Sequence, residues 1–419
     1  MTVLACKNGR SDSLVVEGRL AGGECVRVTV ADGVISGIEP AAATSRVLAP
    51  AFVDPHVHLR TPGREDEETI ASGTAAAAAG GYCAIVAMPN TNPVVDSAPV
   101  LRALVEQARH EAVVPVGFMA AISRSLEGEA LTELGELAAA GAAAFTDDGR
   151  PVTSAGLMRR ALQYGAVTGR KLALHCEEPT LSGEGHAHEG TVSAELGLAG
   201  YPSVAESSMV ERDLALAAYE QRPIHLMHLS ASESVEALAA AQARGVEATG
   251  EVTPHHLVLT DEAVRSLDPN VKMNPPLRAE TDRQALVEGL RSGVIGAVAT
   301  DHAPHSREEK EVPFEAAPFG VTGLETSFAA LYTHLVLPGL LSLETLLERM
   351  SSGPARSLGL PEPRIEVGER ANLVLLDPDA EWTVTETAFR SRSANSWLLG
   401  ERLRGSVVRT VADGRVVHG

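Results

Sequence analysis

The sequence predicts an α/β fold: a (β/α)8 TIM barrel with a small β-sandwich formed by the N- and C-terminal segments. Three observations carry that reading. Between about residues 50 and 360, short β-rich runs alternate eight times with Ala/Leu/Glu-rich helical stretches. Polar residues gather where those runs end. Both flanking segments, by contrast, read as short strands and turns. A doubly wound open sheet is the competing layout, but it has no reason to stop at eight. The expected division is 1–50 for the N-terminal part of the sandwich, 51–360 for the barrel and 361–419 for the C-terminal part.

Residues 1–50 contain "VRVTVADGVISGIEP", an Asp-Gly turn between alternating strands. The barrel strands follow as "LAPAFVDPHVHL", "YCAIVAMPN", "VVPVGFMAAI", "AAAFTDD", "KLALHCEE", "PIHLMHLS", "VEATGEVTPHHL" and "GVIGAVATDHAPH". Between them lie helical stretches such as "TAAAAAGG", "PVLRALVEQARHE", "TELGELAAAGA", "GLMRRALQYGAVTG" and "SESVEALAAAQARG", several ending in a glycine suited to a C-cap. After residue 361, "RIEVGERANLVLLDP", "RLRGSVVRTV" and "ADGRVVHG" return to short strands.

Composition narrows the function. The chain has 419 residues, 44% of them hydrophobic, and a formal charge of −20 from 35 Lys+Arg against 55 Asp+Glu. With no basic cluster, nucleic acid and an anionic membrane surface are poor partners, whereas a small anionic substrate needs only local cations. The N-terminal "MTVLACKNGRSDS" has no apolar signal core, and no apolar run approaches the roughly 20 residues of a membrane span. Cys6, Cys25, Cys83 and Cys176 form no C-x-x-C pair, so a reducing cytoplasmic setting is expected.

In "FVDPHVHLR" (52–60), His56 and His58 stand two apart in a strand and share a face. Alone, such a pair is more often two hydrogen-bonded core histidines than a metal site. The other strand ends decide. Strand one also carries Arg60, strand two ends in Asn90, strand four in Asp147 and Asp148, strand five in His175, strand six in His228, and strand eight in Asp301 with His305 beyond. Imidazoles and carboxylates converging on the C-terminal rim of a barrel suit zinc, manganese or a similar divalent metal. Strand parity leaves Asp147 and Asp148 as alternatives. Among the remaining histidines, His225 is three from His228 and is expected to face the other way. "GHAHEG" reads as a solvated loop, and one of His255 and His256 suits a supporting role. Cys176 is expected in the packing layer, and His110, His334 and His418 at the surface.

With these motifs in view, the chain resembles the amidohydrolase superfamily and, closely, the class I dihydroorotases. "FVDPHVHLR", "AMPNTNP", "AFTDDG", "HCEE", "HLS", "TPHHL", "NPPLR", "DHAPH" and "EAAPFGVTGLET" run in that family's order from about residue 50 to 326. The resemblance implies two Zn2+ per subunit, other divalent metals being alternatives, and the interconversion of dihydroorotate and N-carbamoyl-L-aspartate. It implies His56, His58 and Asp301 on one metal, His175 and His228 on the other, and Asp148 between them. Asp301 would also carry the proton. Substrate contacts would come from His58, Arg60, Asn90, Asn274, His305 and the Phe319–Gly320 backbone. A homodimer and association with aspartate transcarbamoylase are implied as partners.

Two rival readings differ in substrate or in class. Hydantoinases and allantoinases share barrel and metals, but Arg60 and "NPPLR" favour dihydroorotate. A catalytically inactive scaffold of aspartate transcarbamoylase would be expected to lose ligands, and this chain keeps all six. Many relatives bridge their metals with a carboxylated lysine on strand four. Here the lysines are Lys7, Lys171, Lys272 and Lys310, and none falls on that strand. The segment 307–315 is either a lid or an ordinary exposed loop.

Overall fold

A computed structural model describes residues 4–7 and 13–419. The reading of a missing signal core therefore rests largely on residues outside the described ones. The chain opens with β1 (Leu14–Arg19), β2 (Cys25–Ala31), β3 (Val34–Pro40) and β4 (Val47–Pro50). Barrel strands β5 (Phe52–Val57), β6 (Tyr82–Ala87), β7 (Val116–Phe118) and β8 (Leu172–Leu174) follow. After a small excursion through β9 (Ala187–His188) and β10 (Gly200–Tyr201) come β11 (Ile224–Leu226), β12 (Ala248–Val252) and β13 (Ala297–Val298). The chain closes with β14 (Leu373–Thr383), β15 (Arg402–Ala412) and β16 (Arg415–His418).

The terminal strands form one continuous seven-stranded sheet in the order β16-β15-β14-β4-β1-β2-β3. The two chain ends meet where β4 pairs antiparallel with β14, Leu373 opposite Pro50. The Asp-Gly turn between β2 and β3 behaves as the dipeptide demands: Asp32 has φ 53° and Gly33 φ 77°, the two left-handed residues a tight right-twisting hairpin needs. Alternation along β2 buries Val26, Val28 and Val30 against Ile35, Leu48 and Leu373, so one face of this sheet has its own apolar core.

The barrel is closed and parallel. β5, β6 and β7 pair in sequence, as do β8, β11, β12 and β13. The gap between these groups is filled by residues 143–146: Phe145 bridges both Ala120 and Leu172, and Ala143, Ala144 and Thr146 share backbone hydrogen bonds with Phe118 and Ala120. Strand four, expected over 142–148, is thus shortened to these few residues, with Phe145 fully buried at its centre. A Val57–His302 bridge closes the ring, reinforced by the His58 amide donating to His302 O at 2.8 Å.

The helices sit where the Ala/Leu/Glu-rich stretches place them. Ile70–Ala79 starts at a Thr69 capping box and buries Ala76, Ala77 and Ala78, small side chains that let helix and barrel approach closely. Gly80 ends it where a Cβ would stand 2.1 Å from Leu324 O. Among the described residues no helix is long and apolar enough to cross a membrane.

Candidate metal centre and active site

The site begins one turn of side chains below the rim, at Asp54. This fully buried carboxylate accepts from the His56 amide at 3.1 Å and from the Thr300 amide and hydroxyl at 3.2 and 2.5 Å. It therefore fastens the first barrel strand to the last. Burial pushes its pKa up to about 7, despite those donors.

Three of the four expected ligand histidines are held by the ring nitrogen they would not give to a metal. His56 Nδ1 meets Glu251 Oε1 at 2.9 Å, and His58 Nδ1 meets Asn90 Oδ1 at 3.0 Å. His175 instead gives Nε2 to Glu177 Oε2 at 3.0 Å, which leaves Nδ1 for the centre. An acceptor oxygen at each of these nitrogens places the proton there and frees the other nitrogen's lone pair.

The freed nitrogens converge. His58 Nε2 lies 3.0 Å from Asp301 Oδ1 and 3.6 Å from Asp148 Oδ2. His56 Nε2 lies 3.3 Å from Asp301 Oδ1 and 3.6 Å from Asp148 Oδ1. His175 Nδ1 and His228 Nε2 are each 3.7 Å from Asp148 Oδ1 and 2.9 Å from one another. Two sets, His56/His58/Asp301 and His56/Asp148/His228, keep their ligand atoms within 4.8 Å of each other. Asp147 is turned away, accepting from the Ile122 and Ser123 amides, so geometry separates the pair that parity left open.

These atoms fit a cation. His56 Nε2 is buried and has no hydrogen-bond partner, a costly state for an imidazole nitrogen unless something positive occupies the space beside it. Burial pulls the His56 pKa down, but Asp301 and Asp148 outweigh it and hold the ring well above its usual range. Burial likewise raises Asp148 and Asp301, yet His56 foremost holds both below the usual carboxylate range. His58 is lowered, chiefly by burial. Two carboxylates among four imidazoles call for positive charge, and thiolate-free nitrogen and oxygen donors suit zinc or a similar divalent ion.

Backbone geometry marks the same place. Arg60, His228 and Asp301 have φ of 57°, 32° and 47°, a conformation that side chains with a Cβ adopt reluctantly and that clusters at functional sites.

Every expected site residue except His56 lines one cavity of about 180 Å³, and His56 lies fully buried beside its ligand partners. Arg60 is aimed by Pro304 O at 3.1 Å and Glu67 Oε2 at 3.2 Å, with His305 Nε2 3.2 Å from its Nη2. Asn90 does double duty: while its Oδ1 holds His58, its Nδ2 donates to Asp148 Oδ2 at 3.0 Å. Asn274 Nδ2 donates to Glu177 Oε2 at 3.1 Å, leaving its buried Oδ1 without a partner. His305 donates from Nε2 to Phe319 O at 2.8 Å. The Gly320 amide is already given to Lys272 O at 2.9 Å, so of this dipeptide the Gly320 N–H is engaged within the protein.

The 307–315 segment is packed down. Arg307–Lys310 is a helical turn, and Lys310 and Phe314 are buried. Lys310 Nζ donates to Pro269 O and Pro318 O at 3.1 and 2.8 Å. Lys272 Nζ is similarly held by Glu315 O and Ala317 O. Lys171 donates to Ser357 O, and Lys7 is exposed. None of these contacts involves an expected metal ligand.

Three carboxylates escaped the sequence reading: Asp54, Glu177 and Glu251. Asp54 and Glu177 are two residues from His56 and His175, the same-face spacing that singled out His56 and His58. Glu251 is a lone charge inside a strand and is fully buried, itself a warning sign. His225 also departs from expectation. Its Nε2 meets Glu251 Oε2 at 2.8 Å, the carboxylate that holds His56. Parity failed because β11 ends at Leu226 and His228 has left-handed backbone. "GHAHEG" is no solvated loop either, since Ala187–His188 pairs with Gly200–Tyr201 and His188 Nδ1 lies 3.2 Å from Arg278.

The chain also resembles known proteins in sequence and in fold. Residues 45–234 match a family described as dihydro-orotase-like, and residues 291–418 match the amidohydrolase family. A dihydroorotase of Caldanaerobacter subterraneus is 41% identical over 99% of this chain and 96% of its own. One from an Anaeromyxobacter species is 47% identical over 90% of this chain and 87% of its own. Among solved structures, the L-hydantoinase of Arthrobacter aurescens superposes with a TM-score of 0.84 at 26% identity, covering 100% of this chain and 96% of that one.

Proposed function

The chain belongs to the dihydroorotase family of amidohydrolases, and we propose that it works through two divalent ions, zinc foremost, held by His56, His58, Asp148, His175, His228 and Asp301. The reaction is the reversible hydrolysis of the cyclic amide of dihydroorotate to N-carbamoyl-L-aspartate, a step of pyrimidine synthesis. The observation that carries the metal reading is the buried, unpartnered His56 Nε2 between two carboxylates.

Bound there, the ions supply Lewis acidity and an acidified water. The chain supplies the rest. Asp301 faces the cavity with a carboxylate kept ionised, so it can take the proton of the attacking water and return it to the departing ring nitrogen. Arg60 brings a fixed guanidinium to the substrate carboxylate, with Asn90, Asn274, His305 and the Phe319–Gly320 stretch around it. A cavity near 180 Å³ suits a single small heterocycle. Asp148, within 3.7 Å of all four imidazoles, would help to hold both ions.

The hydantoinase reading is disfavoured by the lysine positions and by Asp148 standing among the imidazoles. Assaying purified protein with dihydroorotate, hydantoin and allantoin alongside metal analysis tests the proposal. Two metals per chain and turnover of dihydroorotate alone are expected; an active metal-free enzyme overturns it. A cytoplasmic homodimer, contact with aspartate transcarbamoylase and the division of the chain near residues 50 and 361 belong to the same proposal. Sedimentation with and without the transcarbamoylase tests the first two associations.

A further inference from the structure

Glu251 is a fully buried carboxylate outside the expected ligand set that touches ligand histidines from two strands. Its Oε1 accepts from His56 Nδ1 at 2.9 Å and faces the His228 amide at 3.4 Å, while Oε2 meets His225 Nε2 at 2.8 Å. Behind it, His225 Nδ1 lies 2.8 Å from Thr249 Oγ1. Glu251 and His56 are fully buried, and so is His225. Among the described residues no arginine or lysine pairs with this carboxylate; its partners are N–H groups.

We propose that Glu251, steadied by His225, is the positioning residue of the metal centre: it dictates that His56 presents Nε2 and ties His56 to the strand end that carries His228. An imidazole can offer either nitrogen, and rotation about its Cβ–Cγ bond would move the lone pair away from Asp148 and Asp301. A carboxylate at Nδ1 removes both freedoms. His58 has only a neutral amide, Asn90, in the corresponding place, so the His56 ring carries the strongest orienting bond among the ligands of the first metal set. A merely structural Glu251 would serve the packed core equally well whichever nitrogen His56 offered. The inference rests on the metal-centre reading above.

The test separates the two. Apo-enzyme is titrated with Co2+ alone, read by calorimetry and by the visible ligand-field band, in wild type and Glu251→Gln. A glutamine keeps the shape but has one acceptor oxygen for two imidazole donors. Co2+ binding about 10–100-fold weaker with an altered band, and an unchanged melting temperature of the apo-protein, are expected. Affinity and band equal to wild type overturn the positioning role. Wild-type protein that takes up no Co2+ overturns the metal-centre reading instead. If Glu251→Gln does not fold, 15N NMR of histidine-labelled, zinc-loaded wild type decides: a protonated His56 Nδ1 supports the role, and a protonated Nε2 overturns it.

Discussion

Asp301 Oδ1 lies 3.0 Å from His58 Nε2, the shortest approach between an expected ligand carboxylate and an imidazole in the site. The same oxygen is 3.3 Å from His56 Nε2, so one carboxylate oxygen addresses both histidines of the first barrel strand.

Replacing Asp301 with asparagine keeps the shape and removes the proton acceptor. Ring opening of dihydroorotate should fall by about 10²–10⁴-fold, the range of general acid–base groups, while the far-ultraviolet circular dichroism is retained. Steady-state assays at saturating metal check this. Activity within a few-fold of wild type removes Asp301 as proton carrier.

Arg60→Met should weaken dihydroorotate far more than an analogue lacking the carboxylate. Truncating one partner of a desolvated charge pair costs about 2–5 kcal/mol, read here as a rise in KM or in the inhibition constant. Equal losses for both compounds would make Arg60 structural, a role its contacts with Glu67 and Pro304 could also serve.

Asp148 should bridge without help from carbon dioxide. Apo-enzyme reloaded with zinc after bicarbonate is stripped is expected to recover full activity, and Asp148→Ala to recover little. A bicarbonate requirement would point to a carboxylated lysine, whereas Lys171, Lys272 and Lys310 each donate to backbone carbonyls of residues outside the expected ligand set.

Away from the site, Glu325 gives a pH signature. Burial pushes its pKa from 4.5 up to about 7, against the Arg390 and Ser391 amides that stabilise its charge. The fold favours the protonated acid, so this group's contribution to stability is present below about pH 4.5 and is lost as pH rises through about 7. Glu325→Gln, uncharged throughout, should therefore gain in melting temperature relative to wild type across that interval. A difference that is flat with pH counts against the assignment.

What could be read in advance follows from how regular each strand is. His56 and His58 lie on a true strand and its direct continuation, and period-two counting put them together correctly. Strand four pairs only over residues 143–146 and stops short of the acidic pair, so counting could not separate Asp147 from Asp148; the Ile122 and Ser123 amides do so by claiming Asp147. Parity misled at His225 because left-handed backbone at His228 breaks the alternation. The orienting carboxylates were invisible for another reason. Glu251 and His56 are 195 positions apart, and a hydrogen bond across the barrel leaves no local pattern. The eight-fold alternation, in contrast, is local at every step, which is why the architecture was legible throughout.

The barrel seam has a temporal consequence. His58 and Asp301 lie 243 positions apart, and they meet only when residue 302 pairs with residue 57. At about 5–20 residues per second, a ribosome needs roughly 12–50 s to travel between them. Throughout that interval the emerging polypeptide exposes its first imidazole pair without the carboxylate that completes the set. The groups that converge on the centre are accordingly assembled only after most of the chain has been made, and a product that stops before residue 301 lacks the carboxylate that both histidines of the first barrel strand face.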